Sequence, residues 1–274
     1  MNVTVFKKTL LATAISAFVL PISAHSQVLE EVVVTAQKRE QNLQDVGVSV
    51  TAYTGAQTEA LGWDTTEDIA AQTPGLIATS FSGDSSVSIF SLRGVGQNDF
   101  ADHQEAPSAM YVDGVYIAAT GAAGMQMFDL DRVEVLRGPQ GTLFGRNATG
   151  GLIHVINKRP TEEFEAYVNA TVADFNQRRF EGAVSGPISD TVLGRFSFLK
   201  DDADGYFDNL SGEDARNRDL LSMRGQLSFL FGEDSRVDLQ AWSNVVDRNV
   251  AGAYDFRPAY KEVGDIPTDW QGVP

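Results

Sequence analysis

Phe164-Glu165-Ala166-Tyr167-Val168-Asn169-Ala170-Thr171-Val172 alternates without a break. The even-numbered positions are apolar, and Glu165, Tyr167, Asn169 and Thr171 lie between them. A period of two puts all the apolar side chains on one face of a β-strand and the polar ones on the other. The same grammar recurs downstream. Phe180, Gly182 and Val184 alternate with Glu181, Ala183 and Ser185; Val192, Phe196 and Phe198 with Arg195 and Ser197. Leu221, Met223, Leu227 and Phe229 alternate with Ser222, Arg224, Gln226 and Ser228, and Val237, Leu239 and Ala241 with Asp238 and Gln240. The pattern predicts five strands, each with one apolar and one polar face.

The connections alternate too. Gly186-Pro187-Ile188-Ser189-Asp190 and Phe231-Gly232-Glu233-Asp234-Ser235 are short, whereas Asp201 to Asn217 is long and acidic and another long stretch begins at Val246. Short turns on one rim and long loops on the other are the mark of a transmembrane β-barrel of the outer-membrane type. The alternative is a soluble β-sandwich with one wet face.

The N-terminus favours the barrel. Lys7 and Lys8 precede an apolar run from Leu10 to Leu20, Pro21 breaks it, and Ala24-His25-Ser26 suits a cleavage site before Gln27. That is the three-part pattern of an export signal over residues 1–26. The run is too short for a membrane-spanning helix, which needs about 20 residues. Composition narrows the field further. The 274 residues hold no Cys, so a disulfide scaffold and thiolate metal sites are excluded. A formal charge of −16 argues against nucleic acid as a partner.

Between the signal and the alternating region the grammar is mixed. Thr66 to Gln72 reads as a short helix, capped by Thr65 or Thr66 and ended by Pro74-Gly75. Ala109 to Val112 reads as a strand turned by Asp113-Gly114 into Val115-Tyr116-Ile117. Val133 to Leu136 and Leu152 to Ile156 are two more strands. Together these predict a small domain of helices and strands over residues 41–160.

Several motifs now fall in order. Glu30-Glu31-Val32-Val33-Val34-Thr35-Ala36 follows the cleavage site; then come Ser91-Leu92-Arg93-Gly94, Tyr111-Val112-Asp113-Gly114-Val115, and the run Val133-Glu134-Val135-Leu136-Arg137-Gly138-Pro139-Gln140-Gly141-Thr142-Leu143-Phe144-Gly145-Arg146-Asn147-Ala148-Thr149-Gly150-Gly151. In this order they resemble the TonB box and plug domain of TonB-dependent outer-membrane receptors. The resemblance implies an α+β plug (41–160) behind a TonB-box segment (27–40), then the first strands of an antiparallel transmembrane β-barrel (161–274). Such barrels have about 22 strands, so five are expected to be part of a longer reading frame. No room is left between Gln27 and Glu30 for the signalling domain that some members carry.

The resemblance also implies a function: active transport of a scarce ligand across the bacterial outer membrane, energised through TonB. The commonest cargo of the family is an iron chelate, so a ferric siderophore is the expected ligand. Cobalamin, a saccharide or another metal chelate are the alternatives. A passive porin would lack both plug and TonB box. A secreted enzyme would need a nucleophile–base or metal constellation, and none is evident.

Site residues follow from residue chemistry and resemblance together. Glu31, Val32, Val33, Val34, Thr35 and Ala36 are the expected TonB-binding segment, because β-branched residues favour the extended backbone that adds to a partner's sheet edge. The competing reading is the plug's own first strand. Arg93 and Arg137, each before a glycine, are the plug arginines that the resemblance pairs with glutamates on the barrel wall. Phe81, Phe100, Asp102, His103 and Tyr116 are expected ligand contacts, with a solvated loop as the competing reading around His103. His154 is expected to be structural. The glycines from Gly138 to Gly151 permit turns and close packing of plug against wall, and no Gly-Lys pair supports a phosphate-binding loop. Asp201, Asp202, Asp204 and Asp208 read as a solvated acidic loop rather than a Ca²⁺ site. No cofactor and no resident metal are expected.

Overall fold

The computed structural model describes residues 32–36, 38–39, 41–80, 88–97, 104–119, 122–206, 214, 216–232 and 235–247. The predicted export signal, Glu31, Phe81, Phe100, Asp102, His103 and Asp208 lie outside the described residues.

The N-terminal domain opens with a two-stranded ribbon, β1 (Val33–Val34) paired antiparallel to β2 (Gln41–Asn42). Strand β3 (Ser49–Thr54) runs into helix α1 (Gly55–Ala60). Thr54 Oγ1 accepts from Gln57 N at 3.3 Å and Gln57 Oε1 accepts from Thr54 N at 3.0 Å, a reciprocal cap that satisfies two orphan donors. The predicted helix at Thr66 is a 3-10 turn (Thr66–Asp68) leading into α2 (Ile69–Gln72). Asp68 anchors its start by accepting from the backbone N–H groups of Asp64 and Thr65. Strands β4 (Leu76–Ser80) and β5 (Ser88–Leu92) pair antiparallel.

Strand β6 (Ser108–Val112) turns through Asp113 and Gly114, both at positive φ, into β7 (Val115–Ile117), as the Asp-Gly pair predicted. Strand β8 (Leu130–Arg137), the single turn α3 (Gly141–Phe144) and β9 (Gly151–Asn157) complete the domain. The main sheet runs in the order β3-β8-β9-β6-β7, with β6 and β9 parallel and the other neighbours antiparallel.

Period two gives this sheet two covered faces. Val133 and Val135 of β8, Ile153 and Val155 of β9 and Met110 of β6 face a core closed by Trp63, Ile69, Leu76, Phe90 and Leu92. Leu136, Leu152, Ala109 and Tyr111 face the other way, against Phe144, Ala148, Val34 and Ala36. The N-terminal segment is therefore part of the cover on that second face. The glycines after β8 serve this domain. A Cβ on Gly151, at φ +142, would stand 2.3 Å from Leu136 O and 2.8 Å from Leu92 Cδ1. The close approach is inside the domain and not toward the barrel strands.

All five predicted amphipathic strands are present: β10 (Glu165–Val172), β11 (Arg178–Ser189), β12 (Val192–Ala203), β13 (Arg218–Phe231) and β14 (Ser235–Asp247). They form one antiparallel sheet in chain order. Register keeps the apolar residues on one face, as in the rows Val184↔Phe196↔Gly225↔Ala241 and Gly186↔Gly194↔Leu227↔Leu239. Two and three residues join β11 to β12 and β13 to β14 on one rim, while residues 204–217 bridge β12 to β13 on the other. Among the described residues no strand pairs the outer edges of β10 and β14. Strand β12 extends to Ala203, which corrects the loop reading of Asp201 and Asp202. Asp201 is fully buried, and its carboxylate meets Arg218 Nη1 at 2.8 Å.

Candidate functional site

The N-terminal domain meets the amphipathic sheet through buried charge. Asp129 precedes β8 with φ +52, and its side chain is fully buried. Its carboxylate accepts from Arg195 Nε at 2.9 Å and Nη2 at 2.5 Å, and from Arg224 Nη2 at 3.1 Å. Arg224 Nη2 also donates to the carbonyls of Phe128 and Asp129, and its Nη1 donates to Asn157 Oδ1 at 2.7 Å. Nearby, Arg179 Nη2 donates to Met127 O and Glu181 Oε2, and its Nη1 lies 3.1 Å from Asp64 Oδ1. Burial pushes the Asp64 carboxyl up, against the pull of Arg179 and Arg218. Planar guanidinium forks suit this bidentate capture of a carboxylate.

This arrangement is distinct from the expected pairing of plug arginines with wall glutamates. Carboxylates come from the N-terminal domain and guanidiniums from the sheet. Arg93 is exposed, and its Nη2 donates to Ser49 Oγ at 3.2 Å. Arg137 Nη2 donates to Thr51 Oγ1 at 2.5 Å. Both arginines thus lie beside β3, inside their own domain. Arg195 and Arg224 stood in the sequence as polar residues of alternating strands, and that alternation was the signal that they face inward. Asp129 carried no such signal.

The second feature is the N-terminal segment. Val34 and Ala36 are buried beside Leu136, Phe144 and Leu152, while Val33 faces outward. Leu43 N donates to Val32 O at 2.9 Å. Beneath the segment lies Glu134, a fully buried carboxylate beside Arg132 and the cross-strand His154. Its Oε1 accepts from Thr35 N at 2.7 Å, Thr35 Oγ1 at 3.1 Å and Arg132 Nε at 2.8 Å. Its Oε2 has no hydrogen-bond partner and faces His154 Nδ1 at 4.0 Å. His154 Nε2 accepts from Gly114 N at 3.0 Å, so the neutral ring carries its proton on Nδ1, toward Glu134. Burial holds the His154 pKa down, against the pull of Glu134 and Asp113. The segment is docked, in the position of the domain's own first strand.

Of the expected ligand contacts, only Tyr116 is among the described residues. Its hydroxyl accepts from Asn147 Nδ2 at 2.8 Å, and its ring packs 5.6 Å from that of Tyr111, in the layer that covers the N-terminal segment. Among the described residues no group of three or more His, Asp or Glu side chains is placed to hold a metal ion.

The model of the TonB-dependent receptor plug domain matches residues 42–152. The vitamin B12 transporter BtuB of Vibrio vulnificus is 30% identical over 86% of this chain. The chain belongs to the TonB-dependent outer-membrane receptors. Its N-terminal domain is the plug, and its amphipathic sheet is the beginning of the barrel wall. The pesticin receptor of Yersinia pestis is 31% identical over 70% of the chain. The crystal structure of the ferric yersiniabactin uptake receptor FyuA, from the same organism, superposes with a TM-score of 0.65 at 27% identity, over 71% of this chain and 31% of that one. The chain spans 38% of the length of the Vibrio transporter and 29% of that of the pesticin receptor.

Proposed function

We propose that the chain is the plug and first wall strands of a receptor that moves a ferric siderophore across the outer membrane, driven by TonB. The observation that carries this is the docked segment Val32–Ala36. It is a short extended strand at the plug's edge, paired with β2 through Val33 and Val34. Strand addition to a partner's sheet uses the same backbone groups that now bond within the plug. A passive pore has no use for such a segment. In this reading Arg93 and Arg137 meet wall groups, and Phe81, Phe100, Asp102 and His103 line the ligand side of the plug. Tyr116 is not given that role, because its hydroxyl and ring are engaged within the plug.

The siderophore reading draws on relatives named for iron uptake, among them the ferric yersiniabactin receptor and a ferric-pyoverdine receptor of Pseudomonas putida. Cobalamin is the second reading, favoured by the similarity to the vitamin B12 transporter. The test is binding to cells carrying the intact receptor, with labelled ferric siderophores, cyanocobalamin and maltodextrins in parallel. Saturable binding of a ferric chelate and induction by iron limitation are expected. Saturable binding of the saccharide alone, with no response to iron, overturns the siderophore reading.

A further inference from the structure

We propose that Glu134 is the catch that keeps the TonB-box segment folded into the plug, and that losing its grip on Thr35 frees the segment for a partner. The inference rests on the reading above and adds the residue that sets the docked state.

The docked segment is held by opposed terms. Burial of Val34 and Ala36 favours docking. Among the described residues the segment's pairing with β2 covers only Val33↔Asn42 and Val34↔Gln41. Beyond that ribbon, the long-range polar hold is Glu134, which takes both the backbone N–H and the hydroxyl of Thr35 on one oxygen, 99 residues away in sequence. Arg132 closes the triangle: its Nε donates to Glu134 Oε1, and its Nη2 donates to Thr35 Oγ1 at 3.3 Å.

Glu134 also carries the cost of the docked state. Its second oxygen is buried without a hydrogen bond. A dehydrated, half-satisfied carboxylate is costly, and lifting the segment would let water reach it. The docked state is thus held by strong, charged hydrogen bonds, while its unpaired carboxylate oxygen carries a cost that release relieves. A part that must stay folded until called on, and then leave without unfolding the sheet, needs that balance.

A line of polar groups leads from the neighbourhood of the catch toward the wall, with a 4.0 Å gap between Glu134 Oε2 and His154 Nδ1. From His154 the hydrogen bonds run to Gly114 N, and from the neighbouring Asp113 to Asn157, whose Nδ2 donates to Asp113 Oδ2 at 2.6 Å, and on to Arg224. Glu134 is a positioning residue: it acts through its hold on Thr35.

The experiment places a nitroxide on Val33→Cys in the intact receptor, in outer-membrane vesicles without ligand. The 274 residues have no native cysteine, and Val33 faces outward. The parent should give an immobile spectrum. Glu134→Ala should raise the ratio of mobile to immobile label about 10- to 100-fold, the range expected for losing hydrogen bonds to a charged acceptor. Thr35→Val, which keeps the N–H and loses the hydroxyl, should give a smaller shift in the same direction. Unchanged hydrogen-exchange protection at Tyr111 shows that the plug sheet is intact. Binding of TonB's soluble periplasmic portion to the ligand-free receptor should strengthen in parallel. A label as immobile in Glu134→Ala as in the parent overturns the catch, and so does a label already mobile in the parent. Release of the label with no TonB binding to any form upholds the catch and overturns the transport reading.

Discussion

The carboxylate of Asp129 on the plug lies across the guanidinium of Arg195 on the wall, Oδ2 to Nε at 2.9 Å, with the Asp129 side chain fully buried and that of Arg195 2% exposed. Arg224 reaches the same carboxylate from the next strand. One plug residue thereby ties two wall strands. Its backbone carbonyl also accepts from Lys158 N and Arg224 Nη2.

Removing that carboxylate leaves the buried Arg224 without its ion-pair partner and Arg195 with only Glu165, at 3.7 Å. Breaking a buried pair from one side costs about 3–5 kcal/mol. Asp129→Ala in the intact receptor is therefore expected to loosen the plug, seen as faster hydrogen exchange along β8 and β9. Asp129→Ala combined with Arg195→Met should recover part of the loss. Identical exchange in Asp129→Ala and the parent would show that the pair does not hold the plug.

Gly151 is fixed by space as well as by φ. The added methyl of Gly151→Ala would meet Leu136 O and the Leu92 side chain. Overpacking of this kind costs about 1–3 kcal/mol, before the strain of the backbone conformation. Gly141→Ala, where a Cβ meets nothing within 4 Å, is the control and should stay within about ±0.5 kcal/mol. Equal plug stability for the two variants, measured by urea titration of the folded receptor, would contradict the packing described.

His154 gives the plug a pH dependence of definite sign. Its folded pKa lies below the ordinary 6.5, because burial disfavours the imidazolium. The unfolded state then binds the proton more readily, so stability is unaffected above about 6.5 and falls as pH drops from there toward the depressed value. The facing groups are Glu134, Asp113 and Arg132. Protonation also removes the acceptor of Gly114 N–H. Exchange protection at Gly114 should decline between pH 7 and 5 in the parent and be flat in His154→Gln. A parallel decline in both would remove His154 as the cause.

The lipid face is tested by charge. Phe196 is 46% exposed, on the apolar side between Val184 and Gly225. Arginine near the bilayer midplane costs about 2–4 kcal/mol in a barrel. Phe196→Arg should lower the folded yield of the receptor in lipid vesicles, while Phe196→Leu should fold nearly as well. Undiminished folding of the arginine variant would place that face away from lipid.

The sequence showed the wall more fully than the plug. Period two is unmistakable when one face meets lipid, and each of the five strands was legible from it. Inside the plug the signals were weaker. Strand β3 (Ser-Val-Thr-Ala-Tyr-Thr) has too little apolar contrast to declare itself, and α1 is six residues long with a glycine at its start. The site was legible in part. Asp113-Gly114 announced its hairpin, because only a turn with two positive φ values wants that pair. The charge pairing of Asp129 with Arg195 and Arg224 was not legible, since Arg93 and Arg137 stand out in sequence while Asp129 does not. Nor does local pattern reveal that Glu134 lies under Thr35, a contact made only when the whole sheet is assembled.

The central claim is that Val32–Ala36 passes force from TonB to the plug. Proline has no N–H to donate and holds φ near −65°, so it breaks strand addition. Uptake and surface binding of the same labelled ferric siderophore, measured together in cells carrying Val34→Pro, test the claim most directly. Binding at the parental level with uptake abolished is predicted, and Val34→Ala, which keeps the N–H, should retain most uptake. Uptake by Val34→Pro at the parental rate would contradict the account.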